Sequence, residues 1–405
     1  MYNEFWNSFR EGIQGKNKGL PIGFPRLEKF LNGIHRGRYY TLFSEGGTGK
    51  SSFAWSTFVI SSLDHMIEFN KKLKANTKLT EVEKEKLKLS VKVKLYSLEV
   101  VRREVIAKMV CLKIYKDYDL IVSVDYILNR VEDYQVSRII TYLVQSYKQY
   151  FEYLEEEGYL EIIDTPRTPS AIRKDIDKYA KSNGVFSKDK KGELKYKANN
   201  PNEFVIILTD TVGNLTIEPI HGKTSTKSTI DLHSANCRYF YRDCLNYIPI
   251  NISHSNRSMN DTNRARMGEV FPKMADIKET GMLEQDSSVV MTIFNPMNHI
   301  TSAKVLENFM NYDIKRLKER FRCLGILKNR HGGVNKRVGL LFIGENSHFQ
   351  ELPRATNMNN LDYQTIFNLT EAMYMKDASL LEIVKERNFK MYEFIQSDMA
   401  KKSKK

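Results

Sequence analysis

Cysteine is scarce. Cys111, Cys237, Cys244 and Cys323 are the only four in 405 residues, and no two of them form a C-x-x-C pair. That spacing excludes a zinc knuckle or a redox dithiol, and free thiols fit a reducing compartment. No apolar run approaches the ~20 residues that span a bilayer. The first residues (MYNEFWNSFREG) lack a basic segment followed by an apolar stretch, which argues against a signal peptide. There is no internal repeat. Together these absences predict a soluble, cytoplasmic protein with no membrane partner.

What is present is charge of one sign. Lys and Arg number 63 against 49 Asp and Glu, a formal net charge of +14. An excess of that size suggests a polyanionic partner, though it says nothing of fold. A hydrophobic content of 41% excludes wholesale disorder. At about 150 residues per domain, the length allows two or three domains, or one large domain with insertions. The chain can bury a full core without disulfide or metal staples.

Residues 1–18 carry an aromatic cluster (Phe5, Trp6, Phe9) suited to docking as a short helix on a neighbour. YYTLF at 39–43 reads as a buried strand, 44–49 as a glycine-rich turn, and the apolar segment from Lys50 as a long helix. Strand, turn and helix make half of a parallel βαβ unit. The Lys/Glu-rich stretch 71–92 is a solvated helical insertion or a DNA-binding element, with Thr80 and Glu83 as a capping box. Further strands are expected at 93–98, 160–164, 204–208, 248–252, 288–294, 324–328 and 337–343. Residues 100–157 read as helical, a helix should start at Thr168-Pro169, and 184–203 reads as a basic surface loop. Strands alternating with helices predict an α/β, doubly wound, mostly parallel sheet. Residues 353–405 form a helical extension with a basic tail.

The strongest local signal is residues 44–51 (SEGGTGKS), a phosphate loop of the form G-x-x-x-x-G-K-[ST] whose first glycine is replaced by Ser44. Gly46, Gly47 and Gly49 let backbone N–H groups of Glu45 to Ser52, Thr48 included, crowd a triphosphate at a helix N-terminus. Lys50 can reach the terminal phosphates and Ser51 can ligate Mg²⁺. Asp210, ending the most apolar strand, fits the second magnesium ligand. Glu99, ending the strand after the loop's helix, is either the group that activates water or a surface carboxylate at a helix start.

Beyond the loop, several segments occur in a familiar order: 23–33 (GFPRLEKFLNG), 96–99 (YSLE), the Asp210 strand, 253–257 (SHSNR), 272–286 (PKMADIKETGMLEQD) and 328–333 (KNRHGG). Together they resemble the RecA-like motor domain of DnaB-type replicative helicases over residues 19–352. The resemblance implies a hexameric, ring-forming, ATP- and Mg²⁺-dependent helicase that moves 5′ to 3′ on single-stranded DNA at a replication fork. It implies that Glu99 is the catalytic glutamate, and that His254 stands where the family has a γ-phosphate-sensing glutamine. Lys328 and Arg330 match the basic pair inserted into the neighbouring subunit's ATP site. Lys278, Glu279 and Gly281 match the loop that follows DNA in the channel, with Arg257, Arg264 and Arg266 as possible additions.

The family usually carries an N-terminal helical collar that receives primase. Only about 18 residues precede the motor here, which argues against primase docking by that route and leaves 353–405 as an alternative surface for primase or a loader. A compact motor with such insertions suits a phage-encoded protein, acting in a host cytoplasm. Two other readings stay open: a RecA-like recombinase filament, and a nucleotide-gated DNA-binding or loading factor that hydrolyses little. Ser44 and His254 are the residues that keep the last one open.

Overall fold

The computed structural model describes residues 2–13, 17–128, 130, 134–189, 192–219, 222, 224–256, 263–264, 267–278, 280–299 and 304–367. Among the described residues the strands are β1 (Tyr40–Ser44), β2 (Ser90–Ser97), β3 (Leu160–Ile163), β4 (Gly184–Lys188), β5 (Leu194–Ala198), β6 (Glu203–Asp210), β7 (Ile248–His254), β8 (Val289–Phe294), β9 (Phe321–Asn329), β10 (Lys336–Ile343) and β11 (His348–Glu351). Nine of them form one sheet in the order β11-β10-β9-β8-β1-β7-β6-β2-β3, while β4 and β5 form a separate hairpin. From β3 to β8 the neighbours run parallel. β9, β10 and β11 then extend the sheet antiparallel.

The central strands β1, β6 and β7 are buried along nearly their whole length, polar Thr41, Thr209 and Asn251 included, because both faces are covered, as a doubly wound sheet requires. On one face Leu42, Leu95 and Leu208 pack under the helices that carry Phe53, Leu63 and Met109. On the other, Phe43, Val205 and Ile207 pack under helices carrying Ile172, Ile230 and Phe240. The loop's helix runs from Lys50 through Ala75, opening into π-helical turns over Trp55–Ile60. Two registers align the strand ends: Ser44 lies opposite His254, and Ser97 opposite Asp210. The carboxyl ends of β1, β2, β6 and β7 therefore gather at one edge.

Several local expectations hold. Thr80 and Glu83 cap the helix Glu81–Leu87 reciprocally, and Thr168 accepts from the Ala171 N–H at 3.2 Å at the start of Pro169–Asn183. Others shift. β2 begins at Ser90, so the insertion is shorter than 71–92. The expected helix 100–157 breaks after Arg102–Tyr118, where Asp119 turns left-handed (φ 58°), and continues as the short helix Val124–Ile127 and the long helix Tyr134–Glu156. The expected loop 184–203 contains the β4–β5 hairpin, whose opposed Phe186 and Tyr196 pack on Phe240 and Tyr247. In Tyr2–Ile13, Tyr2, Phe5, Trp6, Phe9 and Ile13 are exposed. Among the described residues, no helix is long and apolar enough to cross a membrane.

Candidate active site

β1 delivers the chain to the carboxyl edge, the loop turns over residues 45–49, and the helix restarts at Lys50. Ser44, in the usual glycine position, is buried. Its hydroxyl meets that of Thr48, so the substitution ties the two ends of the loop together. Lys50 is also buried, and its Nζ donates to the carbonyls of Ser44 (3.2 Å) and Glu45 (2.8 Å). Burial pushes this amine down to about 8 against the opposing pull of Asp210, Glu99 and Glu45, so it still carries its charge at neutral pH.

Ser51 Oγ donates to Asp210 Oδ1 at 3.1 Å. The other carboxylate oxygen, Oδ2, is buried and has no hydrogen-bond partner among the described residues. Burial, aided by the charge of Glu99, pushes the Asp210 carboxyl up to about 7. An orphaned carboxylate oxygen beside an alcohol oxygen is a hard donor set, and it fits a magnesium ion bound with a nucleotide. Ser51 and Asp210 are the residues that could hold it.

The Leu98 N–H donates to the Asp210 carbonyl at 2.6 Å, which draws Glu99 to the same edge. Glu99 is half-exposed and its Oε2 lies 3.8 Å from His254 Nε2, an ion-pair distance but not a hydrogen bond. Burial and the nearby Lys50 charge lower the pKa of His254, with Glu99 opposing; the imidazole is neutral at pH 7. The backbone around it is a bridge. The Ser255 N–H donates to the Ser44 carbonyl (2.9 Å), and the His254 carbonyl accepts from the Lys278 N–H (3.0 Å). Ser255 also pairs with Ile277. The end of β7 is thus the single strand that lies between the phosphate loop and the segment carrying Lys278.

Lys278 and Gly281 are exposed. Arg257, Glu279 and Arg266 lie outside the described residues. Arg264 holds the buried Asp276 carboxylate through two hydrogen bonds of 2.7 and 3.0 Å, which makes it a clamp under the loop rather than a channel charge.

Lys328 and Arg330 are not at this edge. β9 runs antiparallel to β8, and Lys328 pairs with Val290, itself opposite Thr41. Lys328 therefore sits about 10 Å before Ser44 along the strand direction and about 10 Å to the side, two strands away. Arg330 lies further toward the amino edge. Within one chain, the basic pair cannot meet the phosphate loop.

Two residues at the site carry no sequence signal. Arg322 is buried and donates from Nε to the Thr48 carbonyl at 3.0 Å, with burial lowering its pKa to about 10. His299 Nε2 lies 2.9 Å from Glu45 Oε2. Both brace the loop from the β8–β9 side, and only the long-range pairing of those strands brings them there.

No family model matches the sequence, and no curated protein matches it. Solved structures do. One, an isolated ATPase domain, superposes with a TM-score of 0.57 at 18% identity, covering 87% of this chain and 99% of that one. A DnaB-like replicative helicase, solved in a study of its interactions with primase, gives a TM-score of 0.59 at 17% identity, covering 87% and 67%. At such identities the likeness is one of fold: this chain has the α/β RecA-like P-loop fold found in the ATPase domains of DnaB-type helicases.

Proposed function

We propose that this protein is an ATP-dependent DNA helicase that assembles head-to-tail, as a hexameric ring, and translocates on single-stranded DNA from 5′ to 3′. The observation that carries the reading is the split of its candidate catalytic groups between two edges of one sheet. Lys50, Ser51, Asp210, Glu99 and His254 gather at the carboxyl edge, while Lys328 and Arg330 lie toward the amino edge. Two copies set edge to edge complete a site that one copy lacks. Such an interface is heterologous and closes into a ring if the rotation per subunit allows.

In this reading the loop N–H groups and Lys50 hold the triphosphate. Ser51 and Asp210 would hold a magnesium ion, which would screen the phosphate charge. Glu99 accepts the proton of the attacking water. Arg330 and Lys328 of the next copy neutralise charge on the transferred phosphoryl group. His254, uncharged and able to donate one N–H, reports the γ-phosphate to Lys278 through the shared backbone bridge, and Lys278, Glu279, Gly281 and Arg257 face the DNA. A primase or loader contact is part of the proposal, since the DnaB-like helicase of the same fold interacts with primase.

The test is ATP-driven displacement of a labelled strand from a fork, with Arg330→Ala doped into wild-type protein. Unwinding should fall more steeply than the mutant fraction. A loss in simple proportion to dose would mean that sites are not shared, and strand exchange without unwinding would favour a recombinase filament.

A further inference from the structure

Lys328 and Arg330 do not hang free at their edge. Lys328 Nζ donates to the carbonyls of Glu284 (2.5 Å) and Gln285 (3.1 Å). Arg330 Nη2 donates to the Gln285 carbonyl at 2.7 Å, and its N–H to the Ser288 carbonyl at 3.0 Å. These acceptors belong to the short helix Met282–Asp286 and the residues after it. Five residues make less than two turns, too little to hold a helix by its own hydrogen bonds. Something else fixes the seat.

That role falls to Asp286, whose side chain is fully buried. Its Oδ1 accepts from Arg238 Nη1 at 2.9 Å and its Oδ2 from Ser234 Oγ at 2.8 Å, and its carbonyl accepts from Arg242 Nη1 at 2.9 Å. One residue on, Ser287 Oγ lies 2.6 Å from Thr41 Oγ1 of β1. Six residues earlier, Thr280 bonds Asp231. Asp231, Ser234, Arg238 and Arg242 recur at three- and four-residue intervals along the helix that runs through Thr226–Ala235 and Asn236–Cys244, so they line one stripe. The segment from Thr280 to Ser287 is strapped along that stripe, with the Lys278 loop at one end and the seat of the basic pair at the other.

We infer that Asp286 is a positioning residue for Lys328 and Arg330: it locks the carbonyls of Glu284 and Gln285 so that the pair is aimed outward, toward the adjacent copy. The inference rests on the proposed sharing of sites between subunits. It predicts a directional defect, which general loss of packing would not give.

The experiment mixes two inactive variants of the full chain. Lys50→Ala lacks its own phosphate site but supplies Arg330; Arg330→Ala lacks the finger but supplies the site. Mixed rings should regain DNA-stimulated hydrolysis at interfaces where the good halves meet. If the unmodified pair fails to complement, the shared-site reading itself is wrong. Asp286→Asn is then added to one chain at a time. In the Lys50→Ala chain it should lower the regained rate about tenfold, as expected for losing a charge-assisted hydrogen bond that aims the finger. In the Arg330→Ala chain it should change the rate by less than about twofold. Equal losses in both chains overturn the inference, as does no loss in either. Should Asp286→Asn fail to fold, Arg238→Gln, whose side chain is a third exposed, tests the same seat by the same comparison.

Discussion

Among single side chains, Asp210 sets function against stability most sharply. It is buried with one oxygen unpartnered among the described residues, and its carboxyl titrates near 7 in the fold against an ordinary value of 3.8. The folded state therefore keeps the proton longer than the unfolded one. Stability from this group is full below about pH 4, falls as pH rises, and levels off beyond the folded value. In protein free of nucleotide and magnesium, urea unfolding should show wild type losing about 2–4 kcal/mol more than Asp210→Asn between pH 4 and pH 8. The same substitution should abolish hydrolysis, because it removes the anionic oxygen that a divalent cation requires. Parallel pH profiles for the two proteins would mean that the carboxyl is not desolvated as the geometry implies. Glu99 differs: it is half-exposed, so Glu99→Gln should leave the melt within about 0.5 kcal/mol while turnover drops by at least about a hundredfold. Normal turnover would remove Glu99 as the base.

The phosphate loop separates two uses of glycine. At Gly49 φ is +95°, and an added Cβ would lie 2.8 Å from Phe349 and 3.0 Å from Phe342. Gly49→Ala should thus destabilise the fold by about 1–3 kcal/mol, visible in thermal melts without any ligand. At Gly46 nothing lies within 4 Å of such a carbon, so Gly46→Ala should melt like wild type, and any defect it shows should appear in nucleotide binding alone. Equal melts for both variants would refute the distinction. The elements that local sequence predicted well are those whose cause is local. β6 announces itself by the unbroken apolar run from Phe204 to Leu208, which is covered on both faces, and Thr80, Glu83, Thr168 and Pro169 state their caps within four residues. What stayed illegible depends on partners far along the chain or on a single backbone angle. Asp119 ends a helix by turning left-handed, with no glycine to announce it. The β4–β5 hairpin hides its Phe186–Tyr196 pair among lysines. Arg322 reaches Thr48 only once β9 has paired with β8. The site divides in the same way: Lys50, Ser51, Asp210 and Glu99 follow from motif and strand ends, whereas the division between two edges follows only from the antiparallel turn of β9.

As one body, the protein joins its positive charge to its nucleotide site through a short path. The +14 excess favours any nucleic acid and, by itself, would bind it without regard to nucleotide. Lys278 is different, because its N–H is held by the carbonyl of His254 and the next residue pair, Ser255 and Ile277, joins the same segment to the P-loop strand. Two variants should therefore fail in separable ways. The affinity for single-stranded DNA should fall with salt, with a log–log slope of about −0.7 for each phosphate neutralised. Lys278→Ala should flatten that slope by about 0.7 for each phosphate the lysine neutralises, with or without a non-hydrolysable ATP analogue. His254→Ala removes no charge at neutral pH, since burial and Lys50 keep the imidazole deprotonated. It should leave the slope alone and abolish the difference in DNA affinity between nucleotide-bound and nucleotide-free protein. Titrations at several salt concentrations, with and without the analogue, read both quantities from one set of curves. If His254→Ala flattens the slope, the histidine is itself a DNA contact; if Lys278→Ala leaves it unchanged, the positive charge that DNA meets lies elsewhere on the surface.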